Sequence, residues 1–440
     1  MGLGSYKQGS GISAAKFFIE KGDSVLITDL KTREDLLPQI KELEKFCKTK
    51  KKSLPKFVLG EHRESDIVNA DMLVRNPGVP KNSKFLSLAR SRKIPIETDI
   101  SIFFKNTEAE TIGITGTRGK STTTTLIYEI LKTKYPQVWL GGNIKISPLS
   151  FIEKTKKGDL VVLELSSWLL ENFSDENLAP HIAVITNIYP DHLNSYDGMA
   201  DYIAAKKNIF AKQSAGDFLV LNKENKETKK MKGKSKIIYF SKKDLDGFVS
   251  EKNIKLKGNH NLENVAAAVA VAKIMAVPAR NIKQVLKEFG GLSDRQEQIA
   301  EILGVKYIND TTATTPDGAI AALRAFGNKN KNIVLIAGGK DKNLEYKELA
   351  KEIKKYCKTV ILFPGSATEK ITNELRIKNY ELRIVKNMQQ AVQAAKQQAI
   401  KGDIVLLSPA AASFGLFKNE FDRGEQFKKA VKRQNLENRK

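Results

Sequence analysis

The chain has 440 residues, of which 41% are hydrophobic and 28% are charged, and its formal net charge is +24. This length is too great for one hydrophobic core, so we expect two or three domains. The lysines are spread along the chain without interleaved aromatic residues. A high positive charge first suggests nucleic acid or a membrane surface as the partner. The spread of the lysines instead predicts a solvated surface suited to anionic substrates.

Cysteine content and hydropathy predict a cytoplasmic protein. Cys47 and Cys357 cannot build a disulfide framework and lack metal-ligand spacing, which is typical of a reducing compartment. The N-terminal residues contain no apolar signal core. The most apolar stretch, residues 265–277, is far shorter than the roughly 20 residues that a membrane span needs.

The N-terminal pattern suggests a dinucleotide-type fold. Gly2-Leu3-Gly4 resembles the glycine turn after a first strand, a helix is predicted from about Gly11, and Asp29 closes the next strand, where a ribose-binding carboxylate often lies. The strand that should precede Gly2 is absent, so either the chain starts a few residues late or the sheet lacks an edge. The pattern alone leaves nucleotide binding by this segment open.

Short β-branched runs alternate with helical patterns from end to end, which predicts parallel sheets in α/β domains. The predicted buried strands are residues 24–28, 159–165, 182–186, 333–337, 359–363 and 403–407, and two predicted helices are residues 262–275 and 388–400. Polar joints at residues 105–110 and 290–294 divide the chain. We therefore predict three domains, comprising residues 1–105, 106–291 and 292–440.

A phosphate loop is the strongest local signal. A predicted strand ends at Thr115, a glycine-rich loop follows, and Lys120 opens a helix. Backbone N–H groups and the helix N-terminus favour phosphate oxygens, the lysine reaches the β and γ phosphates, and a hydroxyl can bind magnesium. Ile114 replaces a glycine of the full Walker pattern. The residues predicted to bind ATP here are Gly116, Thr117, Arg118, Gly119, Lys120, Ser121, Thr122 and Thr123.

Candidate metal ligands follow the loop at the ends of two later strands. Glu164 ends an apolar strand, the position at which a carboxylate faces bound nucleotide in such sheets. Asp191-His192 follows another buried strand. Because magnesium prefers oxygen ligands, the histidine fits only if phosphates and a carboxylate supply most of the shell. The residues thus indicate an ATP-dependent enzyme and leave its reaction open.

These residues, taken together, resemble the Mur ligase family, whose central domain carries TGT-x-GK[ST], E-x-SS, DH and YxxAK in that order. The matching segments here are residues 115–121, 164–167, 191–192 and 202–206, and the match continues through residues 258–264 and 293–295. The resemblance implies an α/β protein with a Rossmann-like N-terminal domain for the UDP-sugar. It also implies a central ATP-binding domain with a P-loop ATPase-type parallel sheet and a Rossmann-like C-terminal domain that binds the amino acid.

Within the family, the chain resembles the members that add D-glutamate to UDP-N-acetylmuramoyl-L-alanine in peptidoglycan precursor synthesis. The segments that carry this likeness are residues 76–78, 307–310, 338–342, 407–413, 417–419 and 423–424, and the DNPR motif of the diaminopimelate- or lysine-adding relatives is absent. The implied reaction uses ATP to convert the substrate carboxylate into an acyl phosphate, which the amine of D-glutamate attacks. Phosphate is a better leaving group than carboxylate oxygen, which explains the need for ATP.

The resemblance also implies roles for individual residues. The resemblance implies that Lys120, His192 and a carbamylated Lys206 are the catalytic residues. It also implies that two Mg²⁺ ions take part in the reaction. The implied metal ligands are Ser121, Glu164, His192 and Lys206. The implied contacts to the adenine nucleotide outside the loop are Asn264, Arg295 and Asp310. The implied contacts to the UDP-sugar substrate are Asp29, Lys31, Gly78, Asn143 and His192. Lys342 and Ser413 would pair with the carboxylates of D-glutamate. We expect a monomer.

Three departures and two alternatives accompany this reading. Thr312 stands where the relatives have a lysine, Ser101 stands where they have an acid, and residues 6–9 form an insertion. A folylpolyglutamate-type ligase shares the central motifs, but the serine-proline-alanine segment at residues 408–412 argues against it. A nucleic-acid-dependent P-loop ATPase would also combine a phosphate loop with a high positive charge.

Overall fold

The computed structural model describes residues 1–4, 8–80, 82–171, 173, 177–191, 196–256, 258–375, 382–413 and 415–437. The chain forms two compact units. The first unit comprises Met1–Phe248 and Glu263–Val285, and the second comprises Val249–Leu262 and Leu286–Lys440. In the part of the chain that is described, no helix is both long enough and apolar enough to cross a membrane. The three-domain division at residues 105 and 291 stays a prediction.

The N-terminal part of the first unit contains two small parallel sheets, one formed by β1 and β2 and the other by β3 and β4. Its elements are α1 (Ser10–Lys21), β1 (Leu26–Asp29), α2 (Leu37–Lys50), β2 (Lys56–Leu59), α3 (Glu64–Val68), β3 (Leu73–Val74), α4 (Lys84–Ser91), β4 (Ile96–Glu97) and α5 (Asp99–Asn106). Helix α1 begins one residue before the predicted Gly11, and β1 confirms the predicted first strand.

The first two residues lie between these sheets, where the missing strand was expected. The Gly2 N–H donates to the Thr28 carbonyl at the end of β1. The Met1 amino group donates to the Val74 carbonyl, and the Met1 carbonyl accepts from the Asn76 N–H. Met1 thus bonds to the residues on either side of Arg75, which is the hydrogen-bond pattern of parallel strands. If residues 1 and 2 are counted as a central strand, the order is β2, β1, residues 1–2, β3 and β4. This is the strand order of one half of a Rossmann fold. The expected Rossmann-like N-terminal fold is confirmed.

A six-stranded, all-parallel sheet forms the rest of the first unit, in the order β10-β9-β8-β5-β7-β6. Its elements are β5 (Glu110–Thr115), α6 (Lys120–Leu131), β6 (Val138–Gly142), β7 (Leu160–Glu164), α7 (Ser167–Leu170), β8 (Ile182–Ile185), α8 (Gly198–Lys207), β9 (Phe218–Asn222) and β10 (Lys236–Phe240). Strands β7 and β8 are buried throughout. Because β5 lies between them, the loops that follow all three strands meet at one edge of the sheet.

The second unit has a six-stranded sheet in the order β11-β12-β16-β13-β14-β15. After α9 (Asn259–Ile274) and α10 (Ala279–Glu288), which contribute to both units, its elements are β11 (Glu297–Ile302), β12 (Val305–Asn309), α11 (Pro316–Phe326), β13 (Ile333–Gly338), α12 (Lys347–Tyr356), β14 (Cys357–Phe363), α13 (Ser366–Leu375), β15 (Leu382–Ile384), α14 (Met388–Gln398), β16 (Ile404–Leu407) and α15 (Glu420–Glu437). All pairs are parallel except β11 with β12.

Helices cover both faces of this second sheet. Leu335 of β13 packs in the cluster that contains residues of α11, α12 and α13, whereas its neighbour Ile336 packs with α14 and α15. Alternation along a strand sends successive side chains to opposite faces, so both faces are apolar. The predicted strands and helices of this part are confirmed, and the antiparallel edge strand β11 was not predicted.

Arg423 of α15 joins two loops of the second unit. Its side chain is fully buried, and its guanidinium donates to the Thr311 hydroxyl at 3.0 Å, to the Thr311 carbonyl at 2.9 Å and to the Ala411 carbonyl at 3.2 Å. Burial lowers the pKa of this arginine to about 10. The loops that follow β12 and β16 are therefore held to one helix by a single side chain.

We predict that Arg423→Met lowers the free energy of unfolding by about 2–4 kcal/mol, because it leaves buried carbonyls without donors. The exposed Arg433 on the same helix gives the matched control, and Arg433→Met is expected to change stability by less than about 0.5 kcal/mol. Denaturant titration of both variants measures the difference. Equal midpoints would show that Arg423 does not hold the loops.

Candidate active site

The phosphate loop follows β5, as predicted, and two of its positions require glycine. Gly116 and Gly119 have φ values of +148° and +82°, a region that disfavours side chains. A Cβ atom at Gly116 would lie 1.9 Å from the Thr186 hydroxyl, and one at Gly119 would lie 2.1 Å from the Asn264 amide oxygen. Asn264 therefore packs directly on the loop, and any larger residue would displace it.

Residues that follow β8 hold the loop from the neighbouring strand. The backbone N–H of Thr117 donates to the Asn187 carbonyl at 2.9 Å, and that of Arg118 donates to the Asn187 side chain at 2.8 Å. The Thr186 hydroxyl donates to the Arg118 carbonyl at 2.7 Å. This role was not predicted for Thr186 and Asn187, although their position directly after a buried strand was a signal for it.

Two lysines converge on one backbone carbonyl at the start of the loop. Lys120 Nζ donates to the Gly116 carbonyl at 3.0 Å and to the Thr117 carbonyl at 3.1 Å. Lys206 Nζ donates to the same Gly116 carbonyl at 2.9 Å, although the two residues are 90 positions apart. The structure therefore brings together two residues that the sequence predicted as catalytic.

Lys206 is almost completely enclosed, with 1% of its surface exposed, and its Nζ lies 4.7 Å from the centre of the Tyr202 ring. Burial, followed by the nearby charge of Lys120, holds the pKa of Lys206 well below its usual range, against the opposing charges of Asp191 and Glu164. A lowered pKa favours the neutral amine. Such an amine is a nucleophile, whereas an ordinary surface lysine is protonated.

Glu164 ends β7 with only 2% of its surface exposed. Its Oε1 accepts from the Asn143 side chain at 2.9 Å, and its Oε2 has no hydrogen-bond partner among the residues that the structure describes. A buried carboxylate oxygen without a partner is costly unless a cation or a donor reaches it. The residue therefore fits the predicted role of a Mg²⁺ ligand, and Asn143 lies beside it.

The other predicted ligands are less completely defined. Asp191 pairs with Arg118 at 2.7 Å, and His192 lies outside the described residues. Ser121 is half-buried in the first turn of α6, where Thr122 and Thr123 are buried. Among the described residues, no group of three or more His, Cys, Asp or Glu side chains is arranged to hold a metal.

The glycine turn at the N-terminus is fixed by Asp29. One oxygen of this carboxylate accepts from the Leu3 N–H at 2.7 Å, and the other accepts from the Lys31 N–H at 3.0 Å. The Lys31 side chain is exposed. Asp29 thus orders the turn through its backbone contacts, a function that the ribose-binding pattern did not indicate.

The predicted substrate residue Gly78 lies next to this turn. Its N–H donates to the Asn76 side chain at 3.1 Å, and a Cβ atom at Gly2 would lie 2.9 Å from the Cβ of Asn76. Two segments more than 70 residues apart therefore meet. The close approach explains glycine at position 2, where φ is +79°.

In the second unit, Asp310 follows β12 and is 3% exposed. Its carboxylate accepts from the Ser408 hydroxyl at 2.8 Å and from the Gln296 N–H at 3.2 Å. Burial raises its pKa to about 7, although these bonds and the charge of Arg295 oppose the shift. Arg295 therefore lies near Asp310, and Ser408 bonds to the same carboxylate.

The residues predicted to bind the amino acid also lie in the second unit. Lys342 is exposed and donates to the Thr314 hydroxyl at 2.9 Å, and Ser413 is buried after β16. The Thr312 hydroxyl, at the position of the relatives' lysine, donates to the Asp294 carbonyl at 2.9 Å. Thr312 thus bonds the loop that follows β12 to the segment that precedes β11.

Comparison with known proteins accounts for this arrangement. Residues 114–272 match the model of the Mur ligase middle domain, and residues 294–411 match that of the Mur ligase glutamate ligase domain. The chain is 38% identical to the UDP-N-acetylmuramoylalanine–D-glutamate ligase of Roseiflexus sp. strain RS-1, with 98% of this chain and 97% of that protein covered. It is 39% identical to the ligase of the same name from Borreliella afzelii, with 98% and 96% covered.

The chain belongs to the Mur ligase family. Among solved structures, it resembles the UDP-N-acetylmuramate–alanine ligase of Thermotoga maritima, with a TM-score of 0.63, 19% identity and 98% of each chain covered. It also resembles the MurF ligase of Thermotoga maritima in complex with ADP, with a TM-score of 0.58, 16% identity, and 94% of this chain and 97% of that chain covered. These likenesses confirm the multi-domain α/β fold of the Mur ligases.

The raised pKa of Asp310 gives a prediction for this Mur ligase. The protonated acid favours the folded state, so its stabilising effect is complete below about pH 4 and is lost as the pH rises to about 7. Asp310→Asn removes this titration. Its stability relative to the native chain should rise by about 2–4 kcal/mol between pH 4 and pH 7 and then level off.

Denaturant titration at a series of pH values measures this difference. Asp317→Asn is the matched control, because it removes an exposed carboxylate from the same unit. A difference for Asp310→Asn that stays constant from pH 4 to pH 7 would contradict the assignment.

Proposed function

We propose that this Mur ligase joins D-glutamate to UDP-N-acetylmuramoyl-L-alanine with hydrolysis of ATP, in cytoplasmic synthesis of the peptidoglycan precursor. The supporting observation is the near-complete coverage of the D-glutamate ligases at 38–39% identity. The convergence of Lys120 and Lys206 on the phosphate loop agrees with it. We expect the protein to act as a monomer on small molecules.

The phosphate loop and Lys120 bind the transferred phosphoryl group. The N-terminus of α6 and the loop N–H groups favour phosphate oxygens. Lys120 exchanges its carbonyl partners for the β and γ phosphates, where its charge stabilises the transition state. Thr117, Arg118, Ser121, Thr122 and Thr123 line this end of the helix.

The carboxylate oxygen of the alanyl group attacks the γ phosphorus, and ADP leaves. The amine of D-glutamate then attacks the acyl carbon, loses a proton and expels phosphate. Mg²⁺ neutralises the phosphate charge when it is bound. Glu164 would hold it through the partnerless Oε2, together with Ser121, His192 and Lys206.

Lys206 acts as a carbamate. Its neutral amine attacks carbon dioxide, a C–N bond forms, and one proton leaves to solvent. The product is an anion in place of a cation, which removes the repulsion from Lys120 and creates a metal ligand. The deep burial and lowered pKa of Lys206 support this proposal.

The remaining residues bind the substrates. Asp29, Lys31 and Gly78, with the glycine turn, take the nucleotide-sugar, and Asn143 takes its muramoyl part. Asn264, Arg295 and Asp310 contact the adenine nucleotide. Lys342 and Ser413 pair with the carboxylates of D-glutamate, because charge-assisted bonds to a carboxylate are stronger than neutral ones. Residues 1–105, 106–291 and 292–440 would then be the UDP-sugar, ATP and amino-acid domains.

We predict that Lys206→Ala lowers kcat by about 100-fold or more, because the anion that binds metal is lost. Acetate or propionate should restore part of the activity by supplying a carboxylate in the cavity, whereas bicarbonate should not. Phosphate release in the presence of each anion measures the effect. Full activity of the native chain in carbon dioxide-free buffer would contradict the carbamate.

A panel of amino acids with UDP-N-acetylmuramoyl-L-alanine and ATP tests the function itself, with phosphate release as the measurement and Lys120→Ala as the inactive control. D-glutamate should be used, and glutamine and alanine should be rejected, because neither offers Lys342 the side-chain carboxylate with which it is proposed to pair. Thr312→Lys should be tolerated, since Thr312 is only half-buried.

The panel also separates the alternatives. Faster turnover of diaminopimelate or lysine would overturn the assignment of D-glutamate and leave the ligase chemistry in place. Turnover of a folate substrate would indicate the folylpolyglutamate class. ATP hydrolysis that is stimulated by DNA or RNA without an amino acid would overturn the ligase reaction.

A further inference from the structure

A buried arginine of the first unit forms an ion pair that has no role in the sites described above. Arg75 follows β3 with only 2% of its surface exposed, and its Nη2 donates to Glu171 Oε2 at 2.9 Å. Within the described part of the chain, its Nε has no hydrogen-bond partner. Arginine is rarely buried so completely unless it is paired. Glu171 therefore fixes the position of this side chain.

Glu171 connects Arg75 to Tyr196. Its second oxygen, Oε1, accepts from the Tyr196 hydroxyl at 3.2 Å. Burial raises the pKa of Tyr196, so its hydroxyl remains protonated and able to donate. Both carboxylate oxygens are thus used, one by a cation that follows β3 and one by a tyrosine two residues before α8.

Tyr196 contacts Tyr202 on helix α8. The two ring centres are 5.3 Å apart at an angle of 57°. The Tyr202 hydroxyl lies 3.2 Å from the Thr117 hydroxyl in the phosphate loop. Lys206, one turn after Tyr202, donates to the Gly116 carbonyl at 2.9 Å. One face of α8 therefore presents two consecutive contacts to the loop.

The geometry points to Arg75, Glu171 and Tyr196 as positioning residues, which hold α8 so that Tyr202 and Lys206 fix the phosphate loop for phosphoryl transfer. None of the three touches the loop in the contacts described above, so they act through α8. Small errors in the position of reacting groups lower rates strongly. The expected effect on kcat rests on the proposed function, because kcat is measured for that reaction. The expected effect on nucleotide affinity does not depend on the proposed function.

Tyr196→Phe is the most informative variant, because it removes one hydroxyl and keeps the ring against Tyr202. We expect kcat to fall about tenfold, the size of effect that one hydrogen bond to a charged group supports. The KM values for the nucleotide-sugar and D-glutamate should change by less than about twofold, because Tyr196 is not proposed to contact either substrate. The affinity for Mg²⁺ and the non-hydrolysable analogue AMP-PNP should weaken several-fold in calorimetric titration.

Glu171→Gln is the second variant, since an amide can accept only through one of its two terminal atoms. It should reproduce the kinetic pattern of Tyr196→Phe, and the double variant should be no worse than the more affected single one, because both break one link. Arg75→Lys should retain more activity than Arg75→Met, which leaves Glu171 buried without its cation.

Glu97→Gln and Tyr239→Phe are the controls. Glu97 is 3% exposed and its carboxylate is bonded to Ser101, whereas Tyr239 is 43% exposed on β10. Glu97→Gln should lower stability without the kcat-specific loss, and Tyr239→Phe should change neither. Additive losses of kcat in the double variant would overturn the positioning role. It would also be overturned if Tyr196→Phe lost kcat only in proportion to its loss of stability, as Glu97→Gln would.

The two proposals fail in different ways. A native chain that binds AMP-PNP but ligates no amino acid would refute the proposed function, and the AMP-PNP affinities of the variants would still test the network. A native chain that ligates D-glutamate, with unchanged kcat and AMP-PNP affinity in Tyr196→Phe and Glu171→Gln, would refute the network alone.

Discussion

The carbonyl oxygen of Gly116 accepts hydrogen bonds from Lys120 and Lys206, and the active site of the first unit depends on this meeting of two amino groups. Two ammonium groups on one acceptor repel each other unless one is neutral or anions are nearby. The enclosure of Lys206 strengthens that repulsion, because the interior screens charge less than water does. Bound phosphate or the proposed carbamylation of Lys206 would relieve this repulsion.

The sheet brings the parts of this site together. Strands β7, β5 and β8 are neighbours and parallel, so Glu164, the phosphate loop and Thr186 emerge at one edge. The helices then complete what the strands begin, since α6 starts at Lys120 and α8 carries Lys206. Glycine at positions 116 and 119 permits this crowding, because the side chains of Thr186 and Asn264 occupy the space that a Cβ would need.

Buried carboxylates serve three different purposes in this protein. Asp29 accepts from two backbone N–H groups and orders a turn, and Glu171 accepts from an arginine and a tyrosine. Glu164 keeps one oxygen without a partner, and Asp310 has a raised pKa because its bonds do not offset its burial. Asp29 and Glu171 therefore hold local structure, whereas Glu164 and Asp310 lie where a metal ion and a nucleotide are proposed to bind.

The sequence by itself determined the elements whose causes are local. The buried strands, the phosphate loop and the place of Glu164 at a strand end follow from periodicity, from glycine and from motif order, and the family resemblance was carried by those same motifs. Asp29 was correctly placed at the end of β1, but its backbone contacts were not foreseen. The pairing of the first two residues with β1 and β3 was also not predicted, because two residues are too few to show the alternation that indicates a strand.

Only the tertiary structure decided which distant side chains meet. Lys206 and Gly116 are 90 residues apart, and Arg75 and Glu171 are 96 residues apart. Neither contact leaves a trace in local periodicity, because it depends on how helices pack on a sheet and on which polar groups burial forces to pair. The low pKa of Lys206 has the same origin, since desolvation is a property of the packed interior and not of the residue.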